Sequence, residues 1–346
     1  MKIKNQELLE ALEKVRPGLS NKAIVEQTDH FIFDKDYVRT YNDRISISYP
    51  FKTGFCVAVK ADEFFKFVSK IQQDDEVDFD LDGSFLVMSG KNMGRAKVAV
   101  SSEVVCPIVD LKSRKWPKLP KNFSEAIRFA SFSAGSNMLA RELTCLWIKD
   151  KYILSSDGFR ATKFEMDEPM PEFLMPATIA QELSKFSPDS YQIESQGVWH
   201  HFRQGTKLFF HCRVFEGTWL NGFNAEVSED DVFGLFDNKG DVVKIPEGLV
   251  ETVERAKVFA ENIEQGQDMI FLSVDSGKLR CRGEGILGDI EKEFEIDYKE
   301  KSFDVYVSAN ALIEILGHVK EMKVSESRLS FEGPNFQHVI TLMQKK

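Results

Sequence analysis

The chain has 346 residues, too many for one ordinary hydrophobic core and enough for two or three domains. Hydrophobic residues make up 42% and charged residues 29%, the balance of a soluble globular protein. With 45 Lys and Arg against 55 Asp and Glu, the formal net charge is −10, which argues against gripping nucleic acid by bulk charge. An uneven spread of charge stays open. Phe is the most unusual component, with 29 residues against 7 Tyr and 4 Trp, and is expected to fill well-packed cores.

The start, Met1-Lys2-Ile3-Lys4-Asn5-Gln6-Glu7, offers no apolar leader, and no apolar run approaches the roughly 18 residues of a membrane span. The cysteines (Cys56, Cys106, Cys145, Cys212, Cys281) are scattered, odd in number and free of any C-x-x-C. That fits buried thiols in a reducing, cytoplasmic compartment rather than a disulfide framework.

In chain order, a helix is predicted over 7–16, followed by strands within 31–38. A period-2 strand at 57–60 then runs into a helix whose apolar face is Phe64, Phe67, Val68 and Ile71. Residues 77–88 read as a hairpin about Asp82-Gly83. Segment 112–121, with Pro117, Pro120 and five basic residues, reads as a join. The cycle then repeats: a helix over 124–134, strands within 146–153, and a strand entering a helix through Met175-Pro176-Ala177. An acidic, glycine-containing segment at 228–241 reads as the second join. A third cycle follows, with a helix over 247–262, a hairpin at Asp275-Ser276-Gly277, and a strand entering a helix at 305–312.

Aligned on Val59, Met175 and Val307, the strand-to-helix copies are 116 and 132 residues apart. Leu12, Ile127 and Val253 mark the earlier helices, 115 and 126 residues apart. Repeats at this period define the architecture. The chain reads as an α+β protein of three repeated domains, 1–115, 116–235 and 236–346, each with two amphipathic helices on antiparallel sheets.

Other motifs are weaker. Gly283-Glu284-Gly285-Ile286-Leu287-Gly288 spells G-x-G-x-x-G, but the alternating residues 289–296 predict a following strand, so it reads as a glycine-rich hairpin. His200, His201, His211 and Cys212 sit on alternating strands without metal-ligand spacing and read as ordinary strand residues. Asp74-Asp75-Glu76 and Glu229-Asp230-Asp231 read as solvated turns. No catalytic motif or acid/base carboxylate couple is present, so neither enzyme activity nor a metal or other cofactor is expected.

With these residues in view, the chain resembles the bacterial DNA polymerase III beta subunit family, the sliding clamps. Ser155-Ser156-Asp157-Gly158-Phe159-Arg160-Ala161 is similar to the family's A-T-D-G-H-R-L. Met175-Pro176-Ala177 with Glu182-Leu183 is similar to I-P-x-K-x-x-x-E-L, and Arg213-Val214-Phe215-Glu216-Gly217 to R-L-I-E-G. Val15-Arg16-Pro17-Gly18-Leu19-Ser20-Asn21-Lys22 also aligns without gaps.

The resemblance implies a head-to-tail homodimeric ring that encircles double-stranded DNA without sequence preference. It further implies that the ring tethers a DNA polymerase and a clamp loader in replication, as a processivity factor with no chemistry of its own. It places a partner-peptide pocket at Arg141, Leu143, Ser156, Gly158, Phe159, Ala161, Leu220, Ala225, Val339, Ile340, Leu342 and Met343. For the apolar members the plain alternative is core packing. Lys22 matches a basic position that touches DNA in the family; Lys66 and Lys70, spaced i,i+4 on one helix face, are further DNA-contact candidates, and Arg16, Arg128, Lys185, Arg255 and Lys320 are weaker ones. It places Val98 and Val100 against Val258 and Phe259 of a second copy.

The family's F-P-D-Y is here Trp219-Leu220-Asn221-Gly222, its pocket His is Phe159, and its M-P-M-R is Thr341-Leu342-Met343-Gln344. An altered peptide preference is implied, as expected of a divergent or phage-borne clamp. A clamp-fold peptide-binding protein that does not load on DNA is the alternative. The helical windows 5–22, 60–72, 122–141, 176–187, 246–262 and 308–320 hold 12 Lys and Arg and 12 Asp and Glu. The whole excess of negative charge therefore lies in strands, loops and joins, the outer surface of the implied ring.

Overall fold

The computed structural model describes residues 1–346 apart from 21–24, 74, 110–114, 194–196, 224, 225, 238, 263–266 and 344–346, and apart from the side chains of 261, 262 and 267. Lys22 and Ala225, named above, lie outside the described residues. Among the described residues there are seven α-helices: α1 (Asn5–Val15), α2 (Ala61–Val68), α3 (Phe123–Ala130), α4 (Ala177–Ser184), α5 (Glu229–Gly234), α6 (Leu249–Ala260) and α7 (Ala309–Leu316).

Three of these helices follow a strand without a break: Cys56–Lys60 enters α2, Arg160–Pro176 enters α4, and Phe303–Ser308 enters α7. The junction residue is extended in each resolved cap, with φ −61° at both Lys60 and Ser308. At α7 the Ser308 hydroxyl accepts a hydrogen bond from the Ala311 N–H, satisfying one donor of the first turn. The other three long helices, α1, α3 and α6, precede these units in the chain, so one order of elements occurs three times.

α1 forms because Leu8, Ala11, Leu12 and Val15 recur on one face and are all buried. Asn5 shares that face. Its side-chain amide donates to the carbonyls of Val68 and Ile71 at 3.2 and 3.1 Å, fastening the end of α2 to the start of α1. α1 ends where Pro17, which has no N–H to donate, enters a short 3₁₀ turn.

By internal contact the chain falls into two compact units, Met1–Ser124 with Glu182–Val214, and Glu125–Gln181 with Phe215–Lys346. The first holds two antiparallel sheets. One has the strand order Lys2–Lys4, Glu76–Asp82, Phe85–Gly90, Gly94–Ala99. The other has seven strands and runs from Ser190–Gln192 through Trp199–Gln204, Leu208–Arg213, Ile45–Pro50, Tyr37–Asn42 and His30–Asp34 to Cys56–Lys60. Its core is phenylalanine: Phe33 packs against Phe79, Phe51 and Phe64 with ring centroids 5.5–6.1 Å apart.

The second unit holds a six-stranded sheet, from Asp241–Lys244 through Glu321–Val324, Arg328–Glu332, Phe336–Thr341 and Arg160–Pro176 to Cys145–Ser156. Its other sheet is built on Gln267–Asp275, which pairs with Phe303–Ser308 and with Lys278–Gly285; Gly288–Glu295 forms the outer edge. Stacked Trp147 and Trp219, 5.5 Å apart, centre one part of its core. Of the twelve largest fully buried side chains nine are phenylalanine, so much of the Phe content fills the cores.

Pairing explains why contacts give two units. Leu208–Arg213 bonds to Ile45–Pro50, and Arg160–Pro176 bonds to Phe336–Thr341. Each large sheet thus joins strands of two sequence repeats.

One expectation needs correcting. Glu229-Asp230-Asp231 is the first turn of α5, not a solvated turn, because Ser228 and Asp231 form a capping box. The backbone N–H of Ser228 donates to the Asp231 carboxylate at 2.9 Å, and the Ser228 hydroxyl accepts from the Asp231 N–H.

Candidate partner-peptide pocket, helix faces and open edges

In the second unit the chain leaves strand Phe336–Thr341 through Leu342 and Met343. Thr341 N–H donates to the Phe159 carbonyl at 2.8 Å, Leu342 N–H to Ser327, and Met343 N–H to Tyr306 at 3.0 Å. A cavity lies on each side of this segment. The smaller, about 300 Å³, is lined by Phe159, Met269, Ala311, Ile340 and Met343 with Arg160, Asp157 and Asp268. The larger, about 780 Å³, is lined by Phe271, Tyr306, Leu342 and Met343 with Asp304 and Glu326. Thr341 and Met343 are common to both.

The twelve candidate pocket residues divide. Phe159, Ile340, Leu342 and Met343 line the cavities. Leu143, Ala161 and Val339 are buried in the core around Trp147 and Trp219, with Leu220 packed against it. Ser156 is buried too: its hydroxyl donates to the Arg160 carbonyl and accepts from the Gly158 N–H. Gly158, at φ +90°, turns the chain so that Phe159 projects to solvent, 60% exposed. Arg141 is exposed, its guanidinium 5.5 Å from the Phe215 ring.

Asp157 and Arg160 lie in the segment that carries the family resemblance but are not among its pocket residues, and Asp268 has no signal in the sequence. Arg160 bonds to Asp157 at 3.0 Å and also to Glu314 of α7. Asp268 accepts from the Ser308 hydroxyl at 2.9 Å and the Asn310 N–H at 2.6 Å. The Asp157 turn was visible as Asp-Gly, but its ties to α7, more than 150 residues on, leave no local signal.

The basic candidates among the described residues are exposed on or beside helices. Lys66 bonds to Asp62 at 2.6 Å on α2, and Lys185, just past the end of α4, to Glu182 at 2.8 Å, so each ammonium has a carboxylate beside it. The hydrogen bond to Asp62 raises the Lys66 pKa. Arg16 lies 4.5 Å over the Phe65 ring. Arg255 bonds back to its own helix, while Lys70, Arg128 and Lys320 are exposed.

Val98 and Val100 are half-buried on and next to the edge strand Gly94–Ala99. Val258 is 58% exposed on α6, and Phe259 is half-buried beside it. The glycine motif is a hairpin: Gly285 pairs with Gly288, and Ile286 and Leu287 form its exposed tip. A Cβ at Gly283 or Gly285 would stand 2.1 Å from the Ala256 carbonyl oxygen or 2.0 Å from that of Phe259. The motif lets α6 lie directly on the strand.

His201 and His211 pair across adjacent strands on one face, and His200 and Cys212 on the other. Among the described residues no cluster of His, Cys, Asp or Glu is arranged to hold a metal. Burial pushes the Cys212 thiol up to about 12 and Cys106 to about 11. No helix among the described residues is long and apolar enough to cross a membrane.

This arrangement of strand-to-helix units on antiparallel sheets is the sliding-clamp fold. It is the fold of the bacterial DNA polymerase III beta subunits. The chain is similar to the sliding clamp of Bartonella birtlesii, solved bound to griselimycin, at TM-score 0.85 and 13% identity, covering 100% of this chain and 99% of that one. A DNA polymerase III beta subunit of Eubacterium rectale gives TM-score 0.81 and 16% identity, covering 99% of each chain. The Caulobacter crescentus beta sliding clamp gives TM-score 0.81 and 15% identity, again covering 99% of each. No family model matches the sequence, and no curated protein matches it. At these identities it is the fold that is shared.

Proposed function

We propose that the chain is a DNA sliding clamp of three domains, 1–115, 116–235 and 236–346. Two copies close head to tail around duplex DNA and hold a DNA polymerase and a clamp loader through the C-terminal cavities. It acts in the cytoplasm, without chemistry or cofactor of its own. The observation that carries this reading is the end-to-end likeness to the Bartonella clamp, over 100% of this chain and 99% of that one.

The two open sheet edges support the head-to-tail closure. Edge strand Gly94–Ala99 carries Arg95 and Lys97, the latter paired with Asp82, whereas edge strand Gly288–Glu295 carries Asp289, Glu291, Glu293 and Glu295 against one Lys292, with Glu293 and Glu295 paired to Lys278 and Arg280 of the neighbouring strand. Like edges repel and unlike edges attract, so pairing joins the first edge of one copy to the second edge of another. Val98 and Val100 on one side, and Val258 and Phe259 on the other, supply apolar surface to cover. Encirclement needs only weak phosphate contacts. Lys70 and Arg128 suit that task better than Lys66 and Lys185, whose charge is met by carboxylates.

The test is retention on nicked circular DNA after loading by a clamp loader, followed by linearisation. Release on linearisation is expected, and persistence on the linear molecule would rule out encirclement. Peptide binding without any loading would favour the alternative of a peptide-binding protein on the same fold.

A further inference from the structure

The two cavities beside Thr341–Met343 differ in a way that specifies a ligand, and this inference rests on the peptide-pocket reading above. In the smaller cavity every charged lining residue is engaged within the chain. Arg160 is held by Asp157 and Glu314, and Asp268 by Ser308 and the Asn310 N–H at the start of α7. What it offers a ligand is apolar surface: Phe159, Met269, Ile340 and Met343.

The larger cavity is different. The rings of Phe271 and Tyr306 lie 5.1 Å apart in its wall, and Asp304 and Glu326 are its only charged lining residues among those described. Both carboxylates are exposed and form no ion pair among the described residues. Aromatic faces flanked by two carboxylates attract a cation, since ring quadrupole and carboxylate charge act on it together.

We propose that the bound partner segment is basic: an apolar side chain enters the smaller cavity, and a neighbouring Lys or Arg sits over Phe271 and Tyr306 between Asp304 and Glu326. One short extended peptide can reach both cavities, because Thr341 and Met343 line each of them. The exposed backbone turn at Phe159 and the C-terminal segment would border its path.

The test uses the full chain and three fluorescent peptides that share a single phenylalanine flanked by lysines, glutamines or glutamates. The lysine peptide should bind about tenfold more tightly than the glutamine peptide at low salt, with the gap closing as salt is added. The variant Asp304→Asn with Glu326→Gln should abolish the gap between the lysine and glutamine peptides; both positions are exposed, so folding should survive. If the glutamine or glutamate peptide binds as tightly as the lysine one, the basic preference is wrong and the pocket stands. If the gap survives in the double variant, the cation site is misplaced. If no peptide binds, the pocket reading falls with it.

Discussion

His201 and His211 stand opposite each other on paired strands, both buried, with their Nδ1 atoms 2.9 Å apart. Two imidazolium rings cannot occupy that geometry, so the contact needs at least one neutral ring.

Burial, then the neighbouring His201, pushes His211 down to about 3 and His200 to about 4; burial, then Arg160, pushes His338 to about 3. A histidine held neutral in the fold but free to charge when unfolded stabilises fully above its unfolded pKa of about 6.5. That stability is lost as pH falls below 6.5, because the unfolded chain then takes up protons the fold refuses. With three such residues the slope approaches about 4 kcal/mol per pH unit near pH 5. Urea midpoints at pH 7.5, 6 and 5 should fall accordingly, and a flat profile would contradict the neutral buried rings.

Gly283→Ala and Gly285→Ala should each destabilise the second unit by about 1–3 kcal/mol or more, because the added methyl meets backbone oxygen. Gly317→Ala is the control. Gly317 has φ −68° and open space around it, so that change should be neutral or stabilise by up to about 1 kcal/mol. Thermal denaturation of the three variants checks the contrast.

Lys163 sits among three rings, its ammonium 5.6 Å from Tyr152, 5.7 Å from Phe233 and 5.2 Å from Phe236. Phe233 belongs to α5 and Phe236 follows it, so the lysine pins this short helix to the six-stranded sheet. Burial lowers its pKa, yet the aromatic faces favour the cation. Lys163→Ala should cost about 1–2 kcal/mol and should speed proteolysis within 228–241. Unchanged cleavage would show that α5 is held by other contacts.

Val258→Asp places a charge on an exposed position and should leave the monomer's fold intact. If the chain dimerises as proposed, it should shift that dimer to monomer in sedimentation velocity at micromolar concentration. Arg95→Glu with Lys97→Glu should do the same, since both edges would then be acidic. A wild-type chain that sediments as a monomer would remove the basis of the ring.

Much of the fold was legible in the sequence because its signals are local. Leu8, Ala11, Leu12 and Val15 announce α1, and Ser276-Gly277, with φ +51° and +76°, is the turn that Asp-Ser-Gly suggested. The hairpin reading of the glycine motif also came from local alternation. What stayed hidden depends on distance in the chain. Nothing near Phe209 announces its pairing with Ser48, and nothing near Gly285 announces the Phe259 carbonyl. At the candidate pocket, sequence could not separate Leu143 and Ala161, which pack the core, from Phe159 and Met343, which line the cavities. All four are apolar, and only tertiary packing sorts them.

The bond between Leu208–Arg213 and Ile45–Pro50 has a consequence for how the chain is made. Ser48 emerges from the ribosome about 160 residues ahead of its partner Phe209. At 5–20 residues per second it waits roughly 8–30 s with an open strand edge. Its strand alternates Ile45 and Ile47 with Ser46 and Ser48, so one face of that waiting strand is apolar. A fragment ending before Leu208 would keep that edge permanently, so the first repeat made alone should be prone to aggregate.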